Sequence, residues 1–595
     1  MLSHSIFFES HKSSYHPNPT RTTPPMPVSH QIAVLGGGIS GLSAAYYLSQ
    51  NVPATTKIVL FEGSKRVGGW IESKRVGTCG PEKGKPGNEG VLFELGPRSL
   101  RPKGAGGVVA LDLIRNLSLT DSLLTVPATA PSARNRYIYY HDKINVLPSS
   151  GPSLLLSRPP IMRGVISSAI SEAFRKPKDY ATDPDGDESV YAFAERRFGA
   201  HVARNLVGSL VHGIYAGDAR ELSLRSTLRA LYDNERVYGS VVRGVVKGGV
   251  EIETFREKGV MWRSRREDTD FFSAMENMSV IGFREGMEAL PRRLREVLET
   301  IENVEVRTEE EVTFVKMGQE GEDIKVETEK GAIHASHVIS ALPAPTLHKL
   351  LSASNQPLPH LNHNPYVDVA VVNLAYDNPK LVPYDGFGFL TPLTTDDHPP
   401  ANKTTPPGTL GVVFDSNAMP GQEPAGQYTK LTVMLGGHQW DEAFDGTPIG
   451  AVVPDEVLWR AMDVVKATLG VESPPLYALT NLHANCIPQY RVGHHTRLRE
   501  LHAALQSPVY KHRLSVVGNS YLGVSVPDCI KNARALVEEL VAAGGLSEEK
   551  ARCVTGLNRV EVEGGEEGIG GEAGPGELKD SVRVKKGQLG VVMNG

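Results

Sequence analysis

The chain has 595 residues, of which 40% are hydrophobic and 22% are charged. This composition can bury a large core and argues against a wholly disordered protein. The 63 basic and 68 acidic side chains leave a net charge of −5, so no strong positive field exists to bind nucleic acid. The four scattered cysteines form no CxxC pair, which argues against a zinc site or a disulfide framework. No apolar run reaches the roughly 20 residues of a membrane-spanning helix.

The two ends of the chain have the composition of tails. Residues 1–30 contain five prolines between Pro17 and Pro27, which prevent a long helix. This segment is therefore predicted to be a flexible leader, and both a cleaved targeting segment and a plain tail fit its composition. Residues 546–595 mix Gly with Glu and are predicted to be a disordered tail without a core.

After the leader, an apolar strand leads directly into a glycine-rich turn and a helix. The strand is Ile32 to Leu35, and the helical pattern begins at Leu42. Between them lies a GxGxxG motif in the strand–turn–helix context that dinucleotide binding requires. The helix N-terminus supplies amide donors for a pyrophosphate. The predicted pyrophosphate-binding residues are Gly36, Gly37, Gly38, Ile39, Ser40 and Gly41.

The next apolar strand, Ile58 to Phe61, ends in an acid, Glu62. An acid roughly 20 residues beyond the motif can accept hydrogen bonds from the ribose hydroxyls, and it disfavours a 2′-phosphate. A second glycine pair follows in Arg66-Val67-Gly68-Gly69. This pair resembles the motif of FAD enzymes related to monoamine oxidase, so the predicted cofactor is FAD rather than NAD.

Farther along, helical patterns cover roughly residues 160–235, and strand-rich sequence covers roughly 365–440. The end returns to a strand, a Gly-containing loop and a helix between Leu514 and Ala542. The strand–loop–helix pattern thus occurs near both ends of the chain, and the sequence between has a different pattern. This arrangement indicates one domain assembled from distant segments.

Four longer strings resemble the protoporphyrinogen oxidase family. They are FELGPRS from Phe93, GIYAGD from Gly213, IPQY followed by GH from Ile487, and GNSYLGVSVPDCI from Gly518. Their order and spacing match from about residue 31 to 542. Two features depart from the family: Asn519 stands where the family usually has Ala, and a charged insert runs from Lys247 to Asp270.

The resemblance implies a mixed α/β fold with a Rossmann-like FAD-binding domain made of discontinuous segments, a mixed-sheet substrate domain and a helical membrane-binding domain. The corresponding predicted boundaries are 31–125, 280–345 and 505–545 for the FAD-binding domain, 126–150 and 346–504 for the substrate domain, and 151–279 for the helical domain.

The resemblance also implies cofactor contacts beyond the glycine motif. Helix amides following Val526 are expected to favour the anionic reduced flavin, and FAD is expected to be non-covalent, one per chain. The further contacts that the resemblance implies are Glu62 and Gly63 at the ribose, Val312 at the adenine, Trp70, Gly96, Pro97, Arg98 and Ser99 along the cofactor, and Asn519, Val524, Ser525 and Val526 beside the isoalloxazine.

The implied substrate is protoporphyrinogen IX, a large apolar tetrapyrrole with two propionates. Arg136 in the string NRYI matches the family's propionate-binding arginine, and Arg134 is a weaker candidate that would share its strand face. A guanidinium can bind a carboxylate through two parallel hydrogen bonds. Phe387, Leu390 and Met434 match strand positions that line the macrocycle.

The implied reaction removes six electrons in three hydride transfers, with molecular oxygen as the final acceptor. No side chain can be assigned as an essential base. His212 is expected to pack or to form local hydrogen bonds, so backbone carbonyls or water are predicted to relay protons. An amine oxidase or carotenoid desaturase of the same fold, and a flavin-binding scaffold without turnover, are the alternatives.

A basic amphipathic pattern indicates a membrane-surface helix. Ile161, Ile166, Ile170 and Phe174 recur near helical spacing among basic residues, as in helices that lie in a membrane interface. Packing on the protein core is the alternative. The family resemblance implies a peripheral protein of the mitochondrial inner membrane and a homodimer, and a plastid or bacterial form stays open.

Overall fold

A computed structural model describes residues 30–77, 90–149, 159–180, 186–318, 323–394, 402–423, 426–510, 513–543 and 554–560. Residues 1–29 of the predicted leader and most of the predicted C-terminal tail lie outside these residues, and His30, the last residue of the predicted leader, belongs to the first strand.

The strands of the described residues fall into five sheets. In chain order they are β1 (His30–Leu35), β2 (Thr56–Phe61), β3 (Ser73–Val76), β4 (Val91–Glu94), β5 (Leu123–Pro127), β6 (Arg136–Tyr139), β7 (Ile144–Leu147), β8 (Met278–Phe283), β9 (Val304–Arg307), β10 (Val312–Lys316), β11 (Ile324–Thr328), β12 (Gly331–Ala335), β13 (His337–Ser340), β14 (Tyr366–Tyr376), β15 (Gly388–Leu390), β16 (Thr409–Val413), β17 (Thr429–Gly436), β18 (Tyr477–Pro488) and β19 (Leu514–Val516).

Helices connect and cover these sheets. The α-helical segments of the described residues are Ile39–Asn51, Gly104–Asn116, Pro131–Arg134, Val165–Glu172, Val190–Phe198, Ala200–Val202, Gly208–Tyr215, Leu224–Thr227, Arg229–Tyr238, Val241–Val246, Phe255–Glu267, Thr269–Glu276, Ala289–Glu299, Ala344–Ala353, Asp415–Ala418, Trp440–Phe444, Pro454–Leu469, His494–Leu505 and Val526–Ala542.

The first large sheet is parallel and has the strand order β19-β13-β1-β2-β9. Its strands come from both ends and the middle of the chain, which confirms the predicted assembly from distant segments. Ile32 to Leu35 in the central strand are fully buried, as expected for parallel strands covered on both faces. Helices Ile39–Asn51 and Val526–Ala542 pack against each other in the core of this region.

The second large sheet is mixed and has the order β18-β14-β17-β16-β15-β6-β7. One face carries Phe389, Val412 and Val433, which belong to the same apolar cluster as the buried side of helix Pro454–Leu469. Residues that alternate with these point to the opposite face. That opposite face holds the predicted substrate residues Leu390 and Met434.

The helical region is held together by a buried ionic cluster. The Arg197 and Glu172 side chains form an ion pair and are both fully buried. Glu172 also accepts hydrogen bonds from the Ser240 hydroxyl (2.6 Å) and the Val241 amide (2.9 Å). These bonds fix helix Val165–Glu172 against the start of helix Val241–Val246. No helix in the described part of the chain is long and apolar enough to cross a membrane.

Two observations bear on the predicted domain boundaries. Helix Phe255–Glu267 lies within the segment predicted to be membrane-associating, yet it packs on helix Gly104–Asn116, and Val260 shares the core of the parallel-sheet region. The boundary at residue 279 therefore stays a prediction.

The prediction of a disordered tail without a core from residue 546 is wrong for residues 554–560. Leu557 and Val560 are fully buried, and the Val516 amide donates to the Thr555 carbonyl (2.9 Å). The physical reason is that this segment carries three apolar residues at close spacing, Val554, Leu557 and Val560. They pack into the two apolar cores of the parallel-sheet region beside its edge strand β19. The glycine and glutamate content of the tail obscured this short apolar pattern.

Candidate active site

The turn between β1 and the first helix is a cradle that only glycine can form. Gly36 has a φ of +98°, a conformation that favours glycine. A Cβ at Gly41 would lie 1.9 Å from the Gly36 carbonyl oxygen, whereas a Cβ at Gly38 would meet no atom within 4 Å. Gly38 therefore faces open space, and helix Ile39–Asn51 begins without a side-chain cap. The free amides of Ile39 and Ser40 at this helix start can bind a phosphate.

Glu62 lies at the end of β2, directly beside this turn. Its Oε2 atom accepts a hydrogen bond from the Gly37 amide (2.8 Å), and its Oε1 atom accepts one from the Ser64 amide (2.8 Å). A Cβ at Gly37 would lie 2.9 Å from the Glu62 Cβ, which explains the second glycine of the motif. A carboxylate fixed in this way retains acceptor capacity for ribose hydroxyls.

Gly63 and Val312 lie next to Glu62, although they are far apart in the chain. The Glu310 amide donates to the Glu62 carbonyl (3.0 Å). A Cβ at Gly63 would lie 3.3 Å from the Glu311 Cβ. Val312, at the start of β10, is buried. The structure thus brings the predicted ribose and adenine residues to one place.

The second glycine pair, Gly68 and Gly69, is hydrogen-bonded to the glycine-rich turn after β1. The Gly68 amide donates to the Gly37 carbonyl (2.8 Å), and a Cβ at Gly69 would lie 3.3 Å from the Gly38 Cα. The Arg66 guanidinium supports this turn by donating to the Ile71 and Gly69 carbonyls, each at 2.8 Å.

Trp70 and the Gly96-to-Ser99 turn pack directly on each other. A Cβ at Gly96 would lie 1.9 Å from the Trp70 carbonyl oxygen, so the turn requires glycine there. The Trp70 ring is 38% exposed and meets the His483 ring edge-on, with centroids 5.4 Å apart. Pro97 lies in the middle of this turn, between Gly96 and Arg98.

Arg98 connects the cofactor turn to the mixed sheet. Its Nη1 atom donates to Asp415 Oδ1 (2.9 Å). The Thr432 hydroxyl on β17 lies 2.6 Å from Asp415 Oδ2 and 2.8 Å from Asn373 Oδ1. A hydroxyl has one hydrogen, so Thr432 donates to one of these two oxygens at a time. Sequence reasoning missed Asp415 and Thr432.

The C-terminal loop approaches the first helix and is held from behind. The Tyr490 hydroxyl donates to the Asn519 carbonyl and accepts from the Gly523 amide (3.2 Å). A Cβ at Gly518 would lie 4.0 Å from the Ser40 hydroxyl. The IPQY motif therefore positions this loop, a role that its sequence did not reveal.

The start of helix Val526–Ala542 offers fewer donors than expected. Ser525 caps this helix by accepting a hydrogen bond from the Asp528 amide (3.2 Å), and Pro527 has no amide hydrogen. Val524 is half-buried and Val526 is buried. This helix end can therefore stabilise a negative charge on a flavin only through the Val526 amide and the helix dipole.

Three of the four predicted substrate residues, Arg136, Leu390 and Met434, lie on one face of the mixed sheet, and Phe387 directly precedes β15. The register pairs Leu390 with Gly411 and Gly411 with Met434, so Leu390 and Met434 flank Gly411. Ile138 pairs with Leu390, and Arg136, two residues earlier on β6, shares the face. Thr432 is two residues before Met434 and also shares it. The substrate residues and the Arg98–Asp415 contact therefore face the same space.

Arg136 and Phe387 contact each other. The Arg136 guanidinium lies 5.4 Å from the centre of the Phe387 ring, and its Nη1 atom donates to the Ser132 carbonyl (2.8 Å). Burial lowers the pKa of Arg136, and the positive charge of Arg101 lowers it further. Arg134 lies in the short helix before β6, so the expectation that it shares the strand face of Arg136 is wrong.

A small cavity lies between the turn at Arg98 and the predicted substrate residue Phe387. Its walls include Arg98, Ser99, Phe387, Asp415 and Glu94. Glu94 accepts hydrogen bonds from the Ser73 hydroxyl (2.6 Å) and the Met287 amide (2.9 Å), and burial raises its pKa to about 7. Sequence reasoning missed this carboxyl group, although it belongs to the FELGPRS string.

His212 forms local hydrogen bonds, as expected. Its Nδ1 atom lies 3.0 Å from the Thr391 carbonyl oxygen and its Nε2 atom lies 2.9 Å from His438 Nε2. A carbonyl can only accept, so Nδ1 carries the proton and His438 donates to Nε2. Burial lowers the pKa of His212 to about 3, so this imidazole is neutral at physiological pH.

Comparison with known proteins agrees with this geometry. Residues 39–541 match the model of the family described as flavin containing amine oxidoreductase. The chain is 38% identical over 509 residues to protoporphyrinogen oxidase of Bos taurus, covering 84% of this chain and 96% of the relative. It is 33% identical over 517 residues to protoporphyrinogen oxidase of Schizosaccharomyces pombe, covering 86% and 98%.

A solved structure from Exiguobacterium sp. 255-15 has the same fold. Its TM-score is 0.65 at 21% identity, covering 87% of this chain and 100% of that chain. The chain therefore belongs to the flavin-containing amine oxidoreductase family and, within it, to the group of the protoporphyrinogen oxidases.

Proposed function

We propose that the chain oxidises protoporphyrinogen IX to protoporphyrin IX with molecular oxygen and releases hydrogen peroxide, the penultimate step of haem biosynthesis. The observation that carries this proposal is the shared sheet face. Leu390 and Met434 offer an apolar surface there, Arg136 offers a cation, and Arg98 connects the face to the cofactor turn. A flat apolar substrate with carboxylates matches this combination.

The cofactor is FAD, and the residues present fit it. The Gly38 cradle is open, the first helix is uncapped, and Glu62 is fixed at the ribose end. Bound FAD supplies a two-electron hydride acceptor that oxygen can reoxidise. Burial raises the pKa of the Cys529 thiol to about 11; a thiol of this kind is a poor nucleophile, which supports non-covalent binding of one FAD per chain.

The overall reaction balances with three oxygen molecules. Protoporphyrinogen IX loses six electrons and six protons, and three O₂ take them up as three H₂O₂. The chain's own part is to orient the macrocycle and to keep competing groups away from it. His212 donates to a carbonyl and accepts from His438, so it has no free nitrogen for a substrate proton. This supports proton loss to backbone carbonyls or water.

Substitution of Arg136 tests the substrate assignment. Among the described residues, Arg136 has no carboxylate partner, so its charge is available to a propionate. Arg136→Gln is expected to raise the KM for protoporphyrinogen IX roughly 10- to 100-fold, because a charge-assisted hydrogen bond is lost. The matched control is Arg134→Gln, since Arg134 is exposed two residues earlier. Equal KM values for both variants and the wild type would refute the role of Arg136.

A substrate panel separates the proposal from its alternatives. Protoporphyrinogen IX, a primary amine and a carotenoid precursor are each incubated with the FAD-loaded chain, and porphyrin fluorescence and peroxide are measured. The proposal predicts turnover of the first compound. Turnover of the amine or the carotenoid precursor alone would identify the alternative oxidases, and flavin binding without any turnover would identify a scaffold.

Single substitutions also test the absence of a dedicated base. His212→Gln and Asp218→Asn are expected to lower kcat by less than roughly 10-fold, whereas loss of a general base costs roughly 10²–10⁴-fold. A loss of that larger size with unchanged KM would place a general base at the substituted residue.

The proposal includes attachment to a membrane surface. Four exposed apolar side chains support it: Ile170 and Phe174 are 61% and 79% exposed, and Val245 and Val246 are 66% and 81% exposed. Helix Val165–Glu172, which carries Ile170 and ends two residues before Phe174, packs through Glu172 on the helix that carries Val245 and Val246. Exposed Arg175 and Lys176 follow Phe174. Ile161 was expected to join this surface, but it is fully buried, because the chain turns before helix Val165–Glu172.

Vesicle binding tests this surface. The double variant Ile170→Asp and Val246→Asp is expected to lose co-sedimentation with vesicles of phosphatidylcholine and phosphatidylglycerol. Val509→Asp, at an apolar residue that is 51% exposed elsewhere, is the matched control. Unchanged binding of the double variant would remove the proposed surface.

A peripheral location at the mitochondrial inner membrane and a homodimer complete the proposal, and both follow from the family resemblance. Organelle fractionation and sedimentation equilibrium test them. A chain that fractionates outside mitochondria, or that sediments as a monomer at working concentration, would contradict these parts without affecting the reaction.

A further inference from the structure

Helix Phe255–Glu267 has one face that packs on the protein and one that does not. Val260 is 5% exposed and belongs to the core that this helix shares with helix Gly104–Asn116. On the other side, the side chains of Phe255 and Trp262 are 94% and 59% exposed. They are seven residues apart, which is close to two helical turns, so they point in the same direction. Two large aromatic side chains on an open helix face are typical of an interaction surface.

The open face of this helix is also positively charged. Arg263 and Arg266 are exposed there, and neither forms an ion pair among the residues that the structure describes. The Arg266 guanidinium lies 4.6 Å from the centre of the Trp262 ring, which places a cation directly on the aromatic surface. We call Phe255, Trp262, Arg263 and Arg266 the basic aromatic face.

The acids of the same helix do not neutralise this face. Glu257 is directed toward the protein, where it pairs with Lys531 (2.9 Å). Glu267, at the end of the helix, pairs with Arg115 on helix Gly104–Asn116. The basic aromatic face therefore keeps its positive charge and suits an acidic partner.

The last described segment of the chain leads to this helix. Residues 554–560 are packed into the core, and Arg559 reaches the first turn of helix Phe255–Glu267. Its Nη1 atom donates to Glu257 Oε1 (2.8 Å), and its Nη2 atom donates to the Ile252 carbonyl (3.3 Å). The chain beyond this segment therefore starts near the N-terminal end of the helix.

The sequence that follows is acidic. Residues 561–577, which lie outside the described residues, contain six glutamates and no Asp, Lys, Arg or His. The helix is roughly 20 Å long, and eight extended residues already span roughly 26 Å, so this segment can reach every part of the basic aromatic face. Because it belongs to the same chain, its effective concentration at that face is on the order of millimolar.

We propose that residues 561–577, the acidic segment, dock on the basic aromatic face of helix Phe255–Glu267. The glutamates pair with Arg263 and Arg266, and the chain covers the aromatic rings. A basic face with exposed aromatic side chains also attracts anionic lipid surfaces, and the acidic segment shields it from them within one molecule. This inference depends neither on the substrate nor on the membrane surface proposed above.

Carbodiimide cross-linking of the FAD-loaded full chain, analysed by mass spectrometry, tests the proposal. Lys258 is the reporter, because it is exposed on the same helix. It pairs with Glu251 (2.9 Å), so the cross-link between these two residues is an internal reference. We expect cross-links from Lys258 to glutamates of the acidic segment at low salt. They should decrease in about 1 M NaCl, where charges are screened beyond roughly 3 Å.

A double variant tests the role of the two arginines. Arg263→Gln with Arg266→Gln leaves the reporter Lys258 in place. Its cross-links to the acidic segment, relative to the reference, should fall roughly 5- to 10-fold, because two exposed ion pairs together are worth about that factor. The matched control is Arg292→Gln with Arg295→Gln, which removes two surface arginines at the same spacing from another helix. It should keep the cross-link yield of the wild type.

Three results would overturn the proposal. The first is the absence of cross-links to the acidic segment while the reference forms; vesicle binding that only Arg263→Gln with Arg266→Gln loses would then assign the face to anionic lipid. The second is a yield that neither salt nor this double variant lowers, which would place the segment elsewhere. The third is cross-links that join isotopically light and heavy chains in a mixture, which would assign the face to a second copy. If the double variant fails to fold, the salt dependence of the wild type decides the question.

Discussion

The parallel sheet and the helical region around Glu172 bury their interiors with opposite chemistry. Ile32, Val34 and Leu35 in the central strand are fully buried among apolar neighbours. In the helical region, Glu172 and Arg197 are just as deeply buried but form an ion pair. An apolar interior loses stability in proportion to the area removed, whereas a buried ion pair fails sharply when one partner is lost. The two regions should therefore respond differently to single substitutions.

In the parallel-sheet region, we expect a single methyl group added at Gly41 to prevent most FAD binding. A Cβ at Gly41 would lie 1.9 Å from the Gly36 carbonyl oxygen, so Gly41→Ala must open the phosphate cradle. We expect the purified variant to retain less than about a tenth of its FAD and to lose activity in the same proportion. The measurement is the ratio of flavin absorbance to protein.

Gly259→Ala is the matched control for this variant. Gly259 lies in helix Phe255–Glu267, where a Cβ would meet no atom within 4 Å, so the change should be neutral or slightly stabilising. Full FAD content in Gly41→Ala would refute the close packing of the cradle.

The helical region should be most sensitive at its buried ion pair. Glu172→Gln removes one of the two buried carboxylates paired with Arg197 and leaves only Glu235 (3.2 Å) as its counter-charge, so the cost should approach, but not exceed, the roughly 3–5 kcal/mol of a fully broken buried ion pair. We expect the free energy of unfolding in urea, followed with a probe in this region, to fall by that amount, with little change in flavin content. Glu195→Gln, at an exposed acid of helix Val190–Phe198, should shift unfolding by less than about 0.5 kcal/mol. Similar shifts for both variants would show that the ion pair is not the element that holds this region.

A smaller loss of stability is expected at low pH, and it should affect both regions. Burial lowers the pKa of His212 and that of His494 to about 3, and that of His337 to about 4. Histidines with depressed pKa bind fewer protons in the folded state, so stability is lost as the pH falls from about 6.5 toward 4. Glu94, whose pKa burial raises to about 7, has the opposite sign and offsets part of this loss.

The shifts of these three histidines and of Glu94, taken together, predict that the free energy of unfolding falls by roughly 2–4 kcal/mol between pH 7 and pH 5. Urea midpoints at the two pH values measure it. His337→Asn should remove about half of this net dependence, because Glu94 offsets roughly the contribution of one histidine. Equal or higher stability at pH 5 would contradict the buried neutral state of these imidazoles.

The sequence allowed prediction wherever the chemistry is local. The turn from Gly36 to Gly41 and the acid at Glu62 were predictable because their roles depend on spacing within one βαβ unit. The Arg98–Asp415 contact was not, because its partners are separated by 317 positions and neither residue signals the other.

The same limit applies to contacts that depend on tertiary packing. Tyr490 was visible as part of a motif, but its two bonds to the loop at Asn519 and Gly523 depend on the fold. Glu172 looked like one more charge in a basic amphipathic segment, and only the helix packing shows that it is buried. The packed residues 554–560 were hidden by the glycine-rich sequence that follows them.

The most direct test of the central claim is the stoichiometry of the reaction. The purified, FAD-loaded chain is incubated with protoporphyrinogen IX in air, and porphyrin fluorescence and hydrogen peroxide are followed together, with the chain omitted as the blank. We expect enzyme-dependent formation of protoporphyrin IX with three peroxide molecules for each porphyrin. Porphyrin formation no faster than in the blank, by a chain that retains its flavin, would contradict it.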